Sequence, residues 1–167
     1  TSEVGIGTTF VVEIPFEIAP PPEELPVKEA APSGDIHGLK LLLAEDNELN
    51  ADIAETLLTD AGAHVTIVEN GKKALDCFEA ARPGTFDAIL MDVMMPVMDG
   101  LAATRAIRAI PRADARQIPI LAMTANAFEE DARQCLAAGM NVHLAKPLQM
   151  DKVVAALMEC CGKKRDL

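Results

Sequence analysis

The chain has 167 residues and a mass of 17.8 kDa, enough for one ordinary domain with some chain to spare. Its 26 acidic residues outnumber 15 Lys and Arg, so the formal charge is −11 and we expect no nucleic-acid partner. No apolar run approaches the roughly 18 to 20 residues that cross a bilayer, and the first residues lack a signal-peptide pattern. We therefore expect a cytoplasmic chain, with any membrane anchor of a parent protein lying outside it.

The first 37 residues predict a strand followed by a linker. Apolar and polar residues alternate over 8–16, which is the period-two pattern of a half-buried strand. Five prolines lie among acidic residues within 19–37, which predicts an extended, solvated linker. Because the sequence starts at Thr1 rather than Met, we expect it to be part of a longer protein.

Four cysteines occur in the chain: Cys77, Cys135, Cys160 and Cys161. They have neither the spacing of metal ligands nor the density of a disulfide scaffold. We expect reduced thiols, as in a cytosolic protein.

After residue 37, short apolar runs alternate with helical patterns five times. The runs, at 39–44, 65–68, 86–91, 118–124 and 142–145, predict buried strands. In the first predicted helix the apolar stripe comprises Leu49, Ile53, Leu57 and Ala61. Gly62, Gly84 and Gly139 fall just past predicted helix ends, where a left-handed cap is favoured. The alternation predicts a doubly wound α/β fold, with a five-stranded parallel sheet and helices on both faces.

Polar side chains suited to phosphoryl chemistry follow four of the five predicted strands. They are Glu45 and Asp46 after the first, Asp92 after the third, Thr124 at the end of the fourth and Lys146 after the fifth. Taken singly, Asp46 or Asn47 could cap the following helix, and Thr124 could cap another. Asp92 and Lys146 could be ordinary loop residues. Because ligands bind at this edge of a parallel sheet, the joint placement favours a site.

Three carboxylates at one edge would repel one another. At about 4 Å and an effective dielectric near 20, each like-charged pair costs on the order of 4 kcal/mol. Mg²⁺ is the natural counter-ion, since the site offers only oxygen ligands. Lys146 adds positive charge and Thr124 a hydroxyl donor for the oxygens of a phosphoryl group in transfer. One aspartate would accept that group as an acyl phosphate.

Five spaced motifs resemble the signature of two-component receiver domains and span residues 39 to 161. They are Leu-Leu-Leu-Ala-Glu-Asp-Asn at 41–47, Leu-Met-Asp-Val-Met-Met-Pro at 90–96, Met-Asp-Gly at 98–100, Met-Thr-Ala at 123–125 and Lys-Pro at 146–147. The resemblance implies a flavodoxin-like sheet with strand order 2-1-3-4-5. It also implies Mg²⁺ as cofactor.

The resemblance implies a role for each motif residue, with Asp92 as the phosphoacceptor. The implied metal ligands are Glu45, acting largely through water, Asp46, Asp92 and the main-chain carbonyl of Met94. Thr124 is implied as the switch hydroxyl. Lys146 is implied as the cation that pairs with the phosphate, and its bond to Pro147 as cis.

Two positions give this site its own character. His143 stands where the family usually has Tyr or Phe, and its imidazole either fills the ring's place or acts as a protonation-dependent switch. Met94, two residues after Asp92, has no group to orient water. We therefore expect slow hydrolysis of the acyl phosphate.

The sequence Gly-Ile-Gly-Thr-Thr-Phe at 5–10 resembles the last glycine box and closing strand of a histidine-kinase ATPase domain. Its place before a linker and a receiver predicts the C-terminal part of a hybrid sensor kinase. We predict an ATPase remnant at 1–18, a linker at 19–37, a receiver domain at 38–163 and a tail at 164–167. Such a remnant would not bind ATP alone.

The same resemblance implies the partners. A phospho-histidine of a kinase is the expected donor, and a histidine phosphotransfer protein is the expected next partner, because only six residues follow Cys161. Phosphorylation is implied to repack the face made by the fourth predicted helix, the fifth strand and the fifth helix. A homodimer through that face or through the N-terminal strand is a further expectation.

Three other classes fit the residues less well. A haloacid-dehalogenase-type phosphatase also uses Asp, Thr, Lys and Mg²⁺, but it has a second Asp where this chain has Met94. A flavodoxin-like flavin-binding module would need aromatic rings, and the chain has no Trp or Tyr. A degenerate receiver would lack an acidic, threonine or lysine position, and none is missing.

Overall fold

The chain forms two compact units, residues 1–30 and 31–167. The computed structural model describes residues 2–3, 5, 7–8, 13, 36–125 and 129–162. In the first unit, β1 (Ser2–Glu3) pairs antiparallel with β2 (Gly7–Thr8). Most of the strand predicted over 8–16, most of the linker and the whole tail at 164–167 lie outside the described residues. The predicted domain boundaries therefore stay a prediction.

A parallel five-stranded sheet forms the centre of the second unit. Its strands are β3 (Lys40–Ala44), β4 (His64–Val68), β5 (Ala88–Asp92), β6 (Ile120–Thr124) and β7 (Val142–Ala145). The order is β4-β3-β5-β6-β7, which is 2-1-3-4-5 counted within this sheet. This confirms the predicted fold class. In register, Ala44 lies beside Met91, and Asp92 lies beside Met123, so the carboxyl ends of the central strands share one edge.

Six helices connect or follow the strands in the described part of the second unit. They are α1 (Glu48–Asp60), α2 (Gly71–Ala80), α3 (Gly100–Ala109), α4 (Ala113–Gln117), α5 (Glu129–Ala138) and α6 (Met150–Cys161). The sequence did not predict α4, because five residues are too few to show a helical period. The helices predicted as fourth and fifth are therefore α5 and α6. No helix in the described ranges is long and apolar enough to span a bilayer.

The core lies in two layers because alternate strand residues point to opposite faces of the sheet. One layer packs Leu41, Leu43 and Leu90 against residues of α1 and α6. The other packs Leu42 and Ile89 against residues of α2 and α3. Ile36, within the predicted linker, is 1% exposed and belongs to the first layer.

The α1 helix turns three of the four residues of its predicted apolar stripe away from the core, whereas Ala61 packs against it. Leu49, Ile53 and Leu57 are 67%, 51% and 37% exposed. The buried residues of α1 are Ala51, Ala54 and Leu58. Two of these are alanines, whose small side chains let the helix lie close to the sheet. The helix thus has two apolar faces, and the one with the larger side chains faces solvent.

The predicted left-handed glycine caps are confirmed at two of three positions. Gly62 and Gly139 follow the ends of α1 and α5 with φ of 91° and 101°. The prediction for Gly84 is wrong, because α2 ends at Ala80. Gly84 instead has φ 78° inside a turn closed by the Thr85 N–H, which donates to the Arg82 carbonyl at 3.0 Å.

Candidate functional site

Three carboxylates meet at the carboxyl edge of the sheet. Glu45 and Asp46 follow β3, and Asp92 ends β5 on the neighbouring strand. One oxygen from each lies within 4.8 Å of the others. Glu45 and Asp92 are buried, whereas Asp46 is exposed. These hard oxygen ligands form a cluster that could hold a divalent cation, with Asp46 on the solvent side.

The ammonium group of Lys146 bridges two of these acids. Its Nζ donates to Glu45 Oε2 and to Asp92 Oδ2, each at 2.6 Å. Burial raises the pKa of Asp92, and hydrogen bonds from Lys146 and the Met94 N–H only partly oppose this. Burial also lowers the pKa of Lys146, but its hydrogen bonds to the two acids outweigh this and raise it. The lysine therefore stays charged and partly neutralises the cluster.

Neighbouring groups fix both buried acids. Asn50 Nδ2 donates to Glu45 Oε1 at 3.1 Å. The Met94 N–H donates to Asp92 Oδ1 at 3.0 Å. Sequence reasoning missed Asn50, although a polar residue in the first turn of the helix after the acids was a usable signal. Asn47 is the N-cap of α1, since its Oδ1 accepts from the Asn50 N–H, so Asp46 does not serve as the cap.

The Met-Asp-Gly motif at 98–100 anchors the loop after β5 to α3. Asp99 is the N-cap of α3 and accepts from the Ala102 N–H at 2.7 Å. A Cβ at Gly100 would overlap the Asp92 carbonyl oxygen, so only glycine lets α3 start this close to the end of β5. Val97, which is exposed and lies between β5 and this motif, has φ 70°. The Met98 N–H donates to the Pro96 carbonyl at 2.8 Å and closes a γ-turn around Val97. A β-branched residue with a positive φ marks local backbone strain, which is common at functional loops.

Thr124 and His143 border different cavities. Thr124 is buried at the end of β6 and borders a cavity of about 70 Å³ together with Met94. The next helix, α5, is described from Glu129 onward. His143 is half-buried on β7, beside Ala122, and borders a cavity of about 270 Å³.

The last strand carries Lys146 toward the acids. The Lys146 N–H donates to the Thr124 carbonyl at 2.7 Å, which extends the β6–β7 pairing by one step. The bond between Lys146 and Pro147 is cis, as the resemblance implied.

A groove of about 400 Å³ opens beside the acids. It is lined by Glu45, Asn50, Ile53, Ala54, Leu57, Ala125, Lys146, Pro147 and Leu148. Ile53 and Leu57 belong to the exposed stripe of α1, whereas Glu45 and Lys146 belong to the acid cluster. The groove is therefore continuous with the site. The sequence did not predict it, because helical spacing alone does not tell which apolar face is buried.

Comparison with known proteins gives one consistent result. The response regulator receiver domain family matches residues 41–158. The aerobic respiration control sensor protein ArcB of Escherichia coli K12 is 37% identical over 160 residues, which cover 94% of this chain and 19% of ArcB. The chain thus spans about a fifth of that relative.

Solved structures agree with this match. The receiver domain of sensor histidine kinase PA1611 from Pseudomonas aeruginosa PAO1, with a magnesium ion in its active-site cleft, is 43% identical with a TM-score of 0.67. The match covers 75% of this chain and 98% of that one. The receiver domain of Ssk1, co-crystallised with the histidine phosphotransfer protein Ypd1 of Saccharomyces cerevisiae, shares the fold at 24% identity and a TM-score of 0.67, over 77% of this chain and 92% of that one. The match to the family model over residues 41–158 favours a receiver over the phosphatase alternative. The chain belongs to the response regulator receiver domain family.

Proposed function

We propose that this receiver domain takes a phosphoryl group from a phospho-histidine onto Asp92 and acts in a phosphorelay. The observation that carries the proposal is the contact of Lys146 Nζ with both Glu45 Oε2 and Asp92 Oδ2, at 2.6 Å each, beside the Asp46 carboxylate. The cluster combines a nucleophilic carboxylate, a neutralising cation and oxygen ligands for a metal. Phosphoryl transfer needs this combination of positioning and charge compensation.

Asp92, Lys146 and Thr124 have separate roles in the proposed transfer. A carboxylate oxygen of Asp92 attacks phosphorus while the bond from phosphorus to the donor nitrogen breaks, and the nitrogen keeps the electron pair. Lys146 shifts its ammonium toward the transferred oxygens, and the Thr124 hydroxyl donates to another of them. Thr124 lies buried at the end of β6, next to the strand that carries Asp92.

The acid cluster fits Mg²⁺, because three carboxylates lie within reach of one ion and all offer oxygen. Glu45, Asp46, Asp92 and the main-chain carbonyl of Met94 would hold it, with Glu45 acting largely through water. When bound, the ion supplies neutralisation between the acids and the phosphoryl oxygens. The receiver domain of PA1611, crystallised with magnesium, supports this assignment.

We propose that phosphorylation moves Thr124 and thereby repacks the face formed by α5, β7 and α6. Phosphorylation adds roughly −1.5 to −2 charge at Asp92, which attracts Thr124 and Lys146. His143 on β7 stands where the family usually has Tyr or Phe, the side chain that would move inward together with Thr124. Whether its inward position depends on protonation is tested by titrating His143 by NMR with and without a phosphate mimic. A pKa that is the same in both states would contradict a protonation switch.

The groove beside the acids is proposed to receive a helix of the phospho-histidine protein. Glu45 and Lys146 belong both to the acid cluster and to the lining of the groove. A donor histidine that reaches Asp92 must therefore pass over the groove. The exposed side chains of Ile53 and Leu57 offer apolar surface that a partner would cover. The Ypd1 complex supports a histidine phosphotransfer protein as this partner.

The parent is proposed to be a hybrid histidine kinase. ArcB, a sensor protein, matches 94% of this chain, including residues before the receiver family match. The glycine-containing motif at 5–10 fits the end of an ATPase domain. The receiver would then take its phosphoryl group from the parent's own histidine, on the cytoplasmic side of any membrane.

Intact-mass analysis after incubation with acetyl phosphate and Mg²⁺ tests the phosphoacceptor assignment. The native chain is expected to gain one phosphoryl group, and Asp92→Asn is expected to gain none. Asp99→Asn is the matched control, because it lies in the same loop and Asn also caps helices. Equal labelling of the native chain and Asp92→Asn would move the acceptor elsewhere.

Two charge substitutions distinguish the docking faces. Ile53→Glu is expected to slow transfer from phosphorylated Ypd1 at least tenfold, while labelling by acetyl phosphate stays close to native. Leu136→Glu is the matched control, since Leu136 is 58% exposed on α5 of the other face. A loss confined to Leu136→Glu would assign donor docking to the face of α5, β7 and α6.

A further inference from the structure

Met94 combines high exposure with a position at the edge of the acid cluster. Met94 is 75% exposed, whereas Met91, Met95, Met123 and Met140 are buried. The remaining methionines, Met98, Met150 and Met158, are half-buried. All eight methionines of the chain fall within the described residues, so Met94 is the most accessible thioether.

The backbone holds Met94 beside the acceptor. Its N–H donates to Asp92 Oδ1 at 3.0 Å. It also borders the cavity of about 70 Å³ that Thr124 lines. Met94 therefore lies next to both Asp92 and Thr124, the two residues proposed to hold the phosphoryl group.

We propose that Met94 is an oxidation site whose sulfoxide shortens the lifetime of the acyl phosphate on Asp92. The inference rests on the proposed function of Asp92. A peroxide transfers one oxygen atom to the sulfur in a two-electron step, and hydrogen peroxide leaves as water. The reaction replaces an apolar sulfur with a strongly polar S=O group, and a sulfoxide reductase with a thiol reductant reverses it.

The sulfoxide supplies what the native side chain lacks. Its oxygen accepts a hydrogen bond from a water molecule and holds that water near the phosphorus atom. When this water attacks, its oxygen bonds to phosphorus, the bond from phosphorus to the Asp92 oxygen breaks, and the carboxylate keeps the electron pair. The water's proton passes to the departing phosphate. The thioether forms only weak hydrogen bonds, so water near it stays unoriented.

Three of the four cysteines, Cys77, Cys135 and Cys161, compete poorly for the same oxidant. Cys135 and Cys161 are buried. Burial raises the pKa of Cys77, which keeps it as the less reactive thiol. Cys160 is half-buried near the end of α6. A peptide map reports each of these residues separately from Met94.

The test treats the intact chain with hydrogen peroxide, maps the oxidised peptides, and then measures the half-life of the phosphorylated form. We expect Met94 to be oxidised before the other methionines and the half-life to fall about fivefold. This is less than the roughly 10²–10⁴-fold rate enhancement of a general base, because a sulfoxide orients water without taking its proton. Met94→Leu is expected to show the same half-life with and without peroxide. Met94→Gln, which carries a polar acceptor permanently, is expected to have a short half-life without any oxidant.

Three outcomes would overturn the proposal. They are equal oxidation of Met94 and the half-buried methionines, an unchanged half-life after Met94 is oxidised, and a peroxide effect that persists in Met94→Leu. Failure of the untreated native chain to become phosphorylated would instead contradict the function proposed for Asp92. The peptide map is read independently of phosphorylation, so the two failures are distinguishable.

Discussion

Asp92 carries a carboxylate in a buried position, and this has a cost for folding. Burial raises its pKa despite the hydrogen bonds from Lys146 and the Met94 N–H. A carboxyl group whose folded-state pKa is raised destabilises the fold above that pKa, and the cost disappears as the pH falls toward the unfolded-state value. We expect Asp92→Asn to raise the free energy of unfolding at neutral pH, without added metal, by about 1 kcal/mol. The gain should shrink as the pH is lowered toward about 4.

Thermal unfolding followed by circular dichroism measures this effect, since the chain has no Trp or Tyr to report by fluorescence. Asp52→Asn is the matched control, because it removes the same charge from an exposed position on α1. We expect it to change stability little. Equal gains in both variants, or a gain that does not depend on pH, would contradict a specific burial cost at Asp92.

Thr104 is the residue at which a stabilising substitution is clearest. It is fully buried in α3, and its Oγ1 has no hydrogen-bond partner among the described residues. An unsatisfied buried hydroxyl costs about 1 kcal/mol or more, and valine keeps nearly the same shape. We expect Thr104→Val to raise stability by about 1 kcal/mol. Thr104→Ser, which keeps the hydroxyl and leaves a cavity, should lower it, and a destabilised Thr104→Val would show that the hydroxyl is satisfied in solution.

At the scale of elements, Arg112 joins the α3–α4 connection to the end of α2. Its guanidinium donates to the carbonyls of Phe78, Glu79 and Ala81 at 2.8 to 3.2 Å. It also forms two hydrogen bonds with Asp114, at 2.9 and 3.0 Å, and lies 4.6 Å from the Phe78 ring centre. The positive charge thus satisfies carbonyls at the C-terminal end of α2, where the helix dipole is negative.

We expect Arg112→Lys to lower the free energy of unfolding by about 2 kcal/mol, because an ammonium does not reproduce the planar fork of donors. Chemical denaturation measures the loss. Arg105→Lys, at an exposed position of α3, should change stability by less than about 0.5 kcal/mol. Similar effects from both substitutions would mean that the Arg112 contacts contribute little.

At the scale of the whole molecule, metal binding should couple to folding. A ligand that binds only the folded state stabilises it by about 1.4 kcal/mol at ten times its dissociation constant. We expect Mg²⁺ to raise the melting temperature of the native chain and to have a much smaller effect on Asp46→Asn. A sodium salt of matched ionic strength controls for screening. An equal rise in both chains would argue against Asp46 as a ligand.

The sequence was sufficient to predict the sheet and the gathering of the acids. Five apolar runs separated by helical patterns determine a parallel sheet, and a parallel sheet places residues that follow its strands at one edge. Glu45, Asp46, Asp92 and Lys146 could therefore be predicted to meet without any knowledge of contacts.

The features that the sequence did not predict depend on long-range contacts or on a choice between equivalent faces. Arg112 reaches carbonyls more than 30 positions away, which no local pattern encodes. Helical period identified the stripe of Leu49, Ile53 and Leu57 but could not tell that the alanine face of α1 would pack on the sheet. The five residues of α4 were too few for any period.

The outward stripe of α1 has an evolutionary consequence. Because Ile53 and Leu57 are substantially exposed while Ala51, Ala54 and Leu58 anchor the helix, substitutions in the stripe leave the interior intact. Substitutions there also leave Asp92 and Lys146, the groups proposed to act in phosphoryl transfer, unchanged. With the donor docked on this stripe as proposed, partner choice can diverge between duplicated copies of such a gene, insulating one signalling pathway from another while the chemistry is inherited unaltered.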